Sequence, residues 1–413
     1  MRIRSVTTTV IAVPDLPLRN VVGCHQPYAL RTIIQLETDD GLVGLGEMPG
    51  GKRFQQELET AAAEVCGLDP FHLEQLRLRF ADRPRILSAF EVPCLDIIGK
   101  ATGRSVAEIL GGPVRQRVPF SAYLFYKFAT PDDWLETPVG QPKPTGPLGL
   151  FAWSDAVLTP EAMVAEAEQF VTRYGFRVLK LKGGVLSPEL EVETLRLLRE
   201  RFGPTVQLRI DPNGGWSVET AIRLAPVLEE LGLEYYEDPV AGMDAMAEVA
   251  RQTRLPLATN MCVTAFAHLP EAIAKRAVQI ILADHHAWGG LRASVQLGWI
   301  CDVFGLGLSQ HSNTHLGISF AAMVHLAAAL PQLTFASDTH YPWQEGWDIV
   351  NERFVFEDGA VTVPSGPGLG VTLNPDALAQ LAAIAEAVSW EERDDRAIMR
   401  RWFPEWSPSY QPW

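Results

Sequence analysis

Residues 176–216 read FRVLKLKGGVLSPELEVETLRLLRERFGPTVQLRIDPNGGW: a strand-like apolar run, a helical stretch, and a second strand-like run that ends in Asp211. The unit recurs. Apolar runs begin near Phe176, Val206, Leu233, Leu257, Ile280, Leu306 and Leu333, each followed by a helical segment. Repeats of roughly 25–30 residues of this kind are βαβ units. A series of seven or eight implies an α/β fold closed into a barrel of parallel strands, of the (β/α)7β type.

The flanks read differently. Arg2 to Met48 alternates Val, Thr, Ile and Leu with polar residues, and Asp39-Asp40-Gly41 between Thr32–Thr38 and Leu42–Gly46 reads as a hairpin. Helical periodicity follows in Gln55–Cys66 and Ile86–Leu110. We therefore expect an α+β capping domain over residues 1–118, completed by residues from about 372 to 413, set on a barrel domain spanning 119–371. Phe128 to Asp155, rich in Pro, Gly, Trp and Asp, reads as the longest loop and as a cover for a site.

Composition narrows the function. A chain of 413 residues, 47% hydrophobic and 21% charged, can bury a large core, which excludes disorder. A formal charge of -15, from 35 Lys+Arg against 50 Asp+Glu, repels polyphosphate backbones and argues against nucleic acid as a partner. Arg393, Arg396, Arg400 and Arg401 are interleaved with Asp394 and Asp395 and read mostly as a solvated helix face. Five cysteines without a CxxC pair suit reduced thiols in a cytoplasmic protein. No signal peptide is read in Met1–Asn20. Leu316–Leu330, broken by Ser319 and His325, suits a buried helix and falls short of a membrane span.

In a parallel barrel the polar residues at the carboxyl ends of the strands are the informative ones. Here they are Lys180 and Lys182, Asp211, Glu237, Asn260, Asp284, His311 and the Asp338-Thr339-His340 run. Lys180 and Lys182, two apart on a strand, point to one side, where burial lowers a lysine's pKa towards the range of a base. Asp211, Glu237 and Asn260 end three successive strands and offer an all-oxygen ligand set suited to Mg2+. Taken singly, Asp211-Pro212-Asn213-Gly214 reads as a turn and Glu237-Asp238-Pro239 as a helix cap, but neither explains the matched positions. Asp284 bonded to one nitrogen of His311 would fix the tautomer and leave the other nitrogen as a second base, opposite the lysines. His285, His286 and His315 stay unassigned.

This set fits one kind of chemistry. Removing a hydrogen α to a carboxylate builds charge on the carboxylate oxygens, which a divalent cation and a lysine stabilise while a placed base takes the proton. A base on each face permits racemisation; an acid near a β-hydroxyl permits loss of water.

The ordered set, together with the cap, resembles the enolase superfamily. Several strings resemble its glucarate dehydratase branch: Gly46-Glu47-Met48-Pro49-Gly50-Gly51, Tyr123-Leu124-Phe125-Tyr126, Thr259-Asn260-Met261, His311-Ser312-Asn313, Trp343-Gln344-Glu345-Gly346 and Arg393-Asp394-Asp395. The resemblance implies Lys182 as one base, His311 with Asp284 as the other, Lys180 as the enediolate stabiliser, and Mg2+ held by Asp211, Glu237 and Asn260. It places substrate contacts at Asn20, His25, Ser88, Tyr123, Phe125, Asn213, Ser312, Asn313, His340 and Arg393. Two departures stand out. The stretch between Glu237 and Asn260 is shorter than in that branch, leaving Glu237 the best acidic ligand and Asp244 second, and Ser88 stands where the branch uses a Thr. The function implied is a Mg2+-dependent dehydratase of a six-carbon aldarate, glucarate or a close epimer. An epimerase of a related sugar acid and an idle sugar-acid-binding homologue are the alternatives. The expected partner is the small-molecule substrate, with no membrane and with a closed homo-oligomer as the default assembly.

Overall fold

The computed structural model describes residues 1–135, 155–344 and 347–407. The middle of the expected long loop, Glu345-Gly346 and the end of the Trp-rich tail lie outside the described residues.

Period-two alternation builds the cap sheet. Strands β1 (Ile3–Pro14), β2 (Tyr28–Thr38) and β3 (Val43–Pro49) pair antiparallel in that order. The expected hairpin joins β2 to β3 around Gly41, whose φ of +85° is left-handed and suits glycine. One face of the sheet, with Ile34, Leu36 and Met48, packs on Phe54, Leu58 and Phe90 of helices Lys52–Val65 and Pro84–Thr102. Gly44 allows the second helix to approach closely, since a Cβ there would lie 2.1 Å from the Pro93 carbonyl oxygen. The opposite face, with Ile11, Val13 and Ile33, joins the main core, where helix Pro375–Val388 packs against β1.

The barrel strands are β4 (Arg117–Phe125), β5 (Val178–Lys182), β6 (Gln207–Asp211), β7 (Tyr235–Glu237), β8 (Leu257–Thr259), β9 (Ile280–Ala283), β10 (Gly307–Gln310) and β11 (Ser337–Thr339). From β4 to β10 each pairs parallel with the next, and β11 pairs parallel with β4 to close the barrel. The β10–β11 seam is looser, held by a Leu308–Leu333 bridge and the Thr334 N–H on the Leu308 carbonyl. A helix fills each connection from Pro160–Tyr174 to Gly317–Ala329, which is the expected (β/α)7β order. Local sequence starts these helices. Thr159, Ser187 and Ser217 each accept from the backbone N–H three residues on, and Pro160 and Pro188 occupy first-turn positions. Gly317–Ala329 is buried at every residue, and no helix among the described residues is long and apolar enough to cross a membrane.

Candidate functional site

The pleat of β5 turns Leu179 and Leu181 into the helical layer and Lys180 and Lys182 into the barrel mouth. The loop that follows is fixed by Glu191, whose carboxylate accepts from the N–H groups of Gly184, Val185 and Leu186 at 2.8 to 2.9 Å. Lys180 Nζ lies 2.5 Å from Glu237 Oε2, 2.7 Å from Asp338 Oδ2 and 3.6 Å from Asp211 Oδ2. Lys182 Nζ lies 2.5 Å from Asp211 Oδ2. Burial opposes the charge on Lys180, but Asp338, Glu237 and Asp211 outweigh it and hold this ammonium well above the ordinary lysine range. The expectation that burial lowers the pKa is therefore overturned at Lys180. A raised pKa suits charge stabilisation better than proton transfer at this residue.

Carboxylate oxygens of Asp211, Glu237 and Asp238 lie within 4.8 Å of one another, all buried. Burial and the charge of Asp211 push the Glu237 carboxyl well above its usual range. Burial also works against the charge on Asp211, but Lys182 and Lys180 hold its carboxyl below the usual range. Asn260 Nδ2 donates to Glu237 Oε1 at 3.2 Å. Glu237 Oε2, although close to Lys180, is not aligned for a hydrogen bond and has no hydrogen-bond partner. A buried acceptor left unmatched, beside a second carboxylate and an amide, is an oxygen-only donor set that fits a hard divalent cation such as Mg2+. Asp238 is already engaged: its oxygens accept from Thr259 Oγ1 at 2.5 Å and from the Asn260 N–H at 2.8 Å. It braces Asn260 rather than offering a free ligand. Asp244 is not brought to this cluster; it sits on the surface, paired with Lys275.

Across the barrel mouth, His311 Nδ1 donates to Asp284 Oδ2 at 3.2 Å, the expected pair. The carboxylate is shared, however. His286 Nδ1 donates to Oδ1 at 2.7 Å and Asn313 Nδ2 to Oδ2 at 2.8 Å. Burial alone would raise the Asp284 pKa, but His286 and His311 hold it well below the usual carboxylate range. Between β5, which carries Lys182, and β10, which His311 directly follows, lie β4 and β11 on one side and four strands on the other. The two groups therefore enter the mouth from different walls.

Both line a cavity of about 610 Å³. Its wall also includes Asn20, His25, Tyr123, Phe125, Asn213, Ser312, Asn313, His340 and Arg393, which the structure thus brings together. Ser88 is not among them; it is buried within helix Pro84–Thr102, and its Oγ has no hydrogen-bond partner. Arg396 also lines the cavity, so the arginine cluster is not merely a solvated face. Tyr123 OH donates to Asp338 Oδ2 at 3.0 Å. Phe125 packs edge-on against His25 and His340.

Three acidic groups that organise this wall escaped the sequence reading as site residues. Asp338 binds Lys180 and Tyr123, and its place near the end of a barrel strand was a usable signal. Asp395 takes Arg393 in a two-pronged pair at 2.6 Å each and also accepts from Asn20 Nδ2 at 2.8 Å. Asp15 accepts from His25 Nδ1 at 2.9 Å. Burial resists the charge on Asp15, but His25 and His340 hold its carboxyl far below the usual range. Nothing local in the sequence pairs Asp15 with His25.

With this geometry in place, comparison with known proteins is informative. A family model described as "Enolase C-terminal domain-like" matches residues 162–377. A Streptomyces coelicolor protein named a probable glucarate dehydratase is 44% identical over 442 residues, covering 100% of this chain and 99% of that one. A crystal structure of an enolase from Thermobispora bispora, complexed with magnesium and formate, superposes with a TM-score of 0.92 at 46% identity and full coverage of both chains. One from Pseudomonas fluorescens, with bound magnesium, potassium and tartrate, gives 0.90 at 42% identity, covering 98% of each chain.

Proposed function

The chain belongs to the enolase C-terminal domain-like family, and from that premise we propose that it is a Mg2+-dependent lyase that dehydrates a six-carbon aldarate, glucarate or a close epimer. The observation that carries the reading is the entry of Lys182 and His311 into one cavity from different walls, above a buried carboxylate cluster.

Asp211, Glu237 and Asn260 would hold Mg2+, which when bound neutralises charge growing on the substrate carboxylate. Lys180, kept cationic by its neighbours, stabilises the same charge. Lys182 faces the α-carbon from one wall and His311 from the other. With Nδ1 engaged by Asp284, His311 presents Nε2, which takes the α-proton on its face or gives a proton to the departing β-hydroxyl. The C–H electron pair becomes the new C=C bond, the C–O bond breaks, and water leaves. The enol then tautomerises to a keto-deoxy acid. An aldarate has a second carboxylate, and Arg393, His25 and Asn20 supply cationic and hydrogen-bonding groups for it. The name of the Streptomyces relative and the magnesium and tartrate in the Pseudomonas one support this choice.

Epimerisation needs the same two opposed bases, so it is the second reading. The division into a cap of residues 1–118 and a barrel of 119–371 belongs to this proposal, as do a closed homo-oligomer and a cytoplasmic location suited to unpaired thiols. The test is product analysis with Mg2+ against glucarate, idarate and galactarate. A keto acid that disappears with a chelator is expected; an epimer without keto acid would establish the second reading, and no reaction with any of these acids would overturn both.

A further inference from the structure

Arg31 lies on β2 of the cap, yet its side chain is buried and reaches the barrel. Its Nε donates to Glu47 Oε1 at 2.8 Å and its Nη1 to Asn313 Oδ1 at 2.7 Å. The other end of the Asn313 amide donates to Asp284 Oδ2, the same oxygen that meets His311 Nδ1. Glu47 in turn accepts from the N–H groups of Leu316 and Ser319 at 2.8 Å each. Ser319 Oγ donates to His286 Nε2 at 2.8 Å, and His286 Nδ1 donates to Asp284 Oδ1. The bonds therefore close a ring that runs Asp284, Asn313, Arg31, Glu47, Ser319, His286 and back to Asp284.

We propose that Arg31 is a positioning residue for the Asp284–His311 pair, acting from the cap through the amide of Asn313. A guanidinium only donates, so it accepts no orientation of Asn313 but the one with the amide oxygen towards the cap and the NH2 group towards Asp284. With the amide reversed, its oxygen would face the carboxylate. Both oxygens of Asp284 are then fixed, one by His286 and one by Asn313, and the His311 ring is aimed by what remains. The cap thereby does more than enclose the substrate: its docking sets the aim of one base while leaving Lys182, held by Asp211 in the barrel, untouched.

The inference rests on reading Asp284 and His311 as a base pair, so its test includes a measurement that needs no substrate. The first variant is Arg31→Lys. Because it strains a buried pair, Arg31→Met combined with Glu47→Gln, which removes both charges, is studied beside it, with Arg53→Ala at an exposed cap ion pair as the control. Deuterium exchange is followed for two substrates epimeric at the reacting carbon, the His311 face being the one lost in His311→Asn. We expect folded Arg31 variants to lose about 10-fold or more on the His311 face, as sub-ångström misplacement does, and under about 3-fold on the Lys182 face. The control should leave the ratio of the faces unchanged. Equal losses on both faces, or none, would overturn the proposal. If wild-type protein exchanges neither epimer, the functional reading fails and ring-nitrogen NMR of labelled histidines decides. Changed His311 nitrogen shifts in the Arg31 variants, with the fold intact, support the positioning role, and unchanged shifts refute it.

Discussion

Asp395→Asn should weaken the hold on the far carboxylate of the substrate and leave the chemistry alone. Asp395 accepts from Arg393 Nε and Nη2 at 2.6 Å each and from Asn20 Nδ2 at 2.8 Å. Burial resists its charge, but Arg393 keeps the carboxyl below the usual range. Asparagine keeps the shape but in either orientation turns its NH2 group towards Arg393, and in one of them towards Asn20 as well, donor against donor, and removes the charge from the bonds that survive. A charge-assisted bond contributes roughly 1.5–3 kcal/mol against about 1 for a neutral one, so the local loss is about 2–4 kcal/mol. Arg393 is partly exposed, and screening puts the share felt in binding at the low end, about 1.4–2.8 kcal/mol. That corresponds to a rise in KM of about 10- to 100-fold. The kcat should stay within about 3-fold, because neither base contacts this corner. The assay is steady-state kinetics on the acid that the product panel identifies, with Mg2+ affinity measured by calorimetry as a control. In an Arg393→Met background the same change should add little, since both act through one contact. A fall in kcat at unchanged KM, or full additivity of the two changes, would refute the reasoning.

Other expectations follow from the same contacts. Lys182→Ala and His311→Asn should abolish turnover while Mg2+ still binds, whereas Asp211→Asn should weaken Mg2+ by at least about 10-fold in calorimetry; normal turnover in either base variant would sink the two-base assignment. His325 gives a pH test of stability. Its Nδ1 accepts from the Ala107 N–H and its Nε2 donates to the Leu369 carbonyl, so only the neutral ring fits. Burial, against a smaller upward pull from Leu369, lowers its pKa from 6.5 to about 4. The unfolded chain then binds a proton that the folded one refuses, and stability falls as pH drops from 6.5 to 4, by about 1.4 kcal/mol per pH unit and about 3 kcal/mol in all. Urea titrations of wild type against His325→Gln should diverge over that window; parallel curves would contradict the account.

The barrel was legible because each strand run closes on a polar residue, a pattern that survives errors of two residues in the boundaries. The one larger error has a physical cause. The last run was placed from Leu333, but there the chain only bridges Leu308, and ladder pairing with β4 begins at Ser337. Strand-end site residues were legible for the same reason, since period two puts Lys180 and Lys182 on one shared face. Partners brought together by the cap were not. Asp15 meets His25, Asn20 meets Asp395 and Arg31 meets Asn313 across separations that no local period encodes. The ionic state of Lys180 was misread because burial was weighed without the three carboxylates that surround it. Ser88, carried over by resemblance alone, is buried in helix Pro84–Thr102 and does not line the cavity.

The central claim is that two groups on different walls of the barrel mouth take a proton from a carbon beside a carboxylate. The most direct measurement is NMR of an aldarate incubated with the protein and Mg2+ in D2O, repeated with Lys182→Ala and His311→Asn. The account predicts deuterium at the α-carbon with wild type, and loss of exchange on a different face in each variant. Exchange on both faces in either variant, or none with Mg2+-loaded wild type and any acid of the panel, would contradict it.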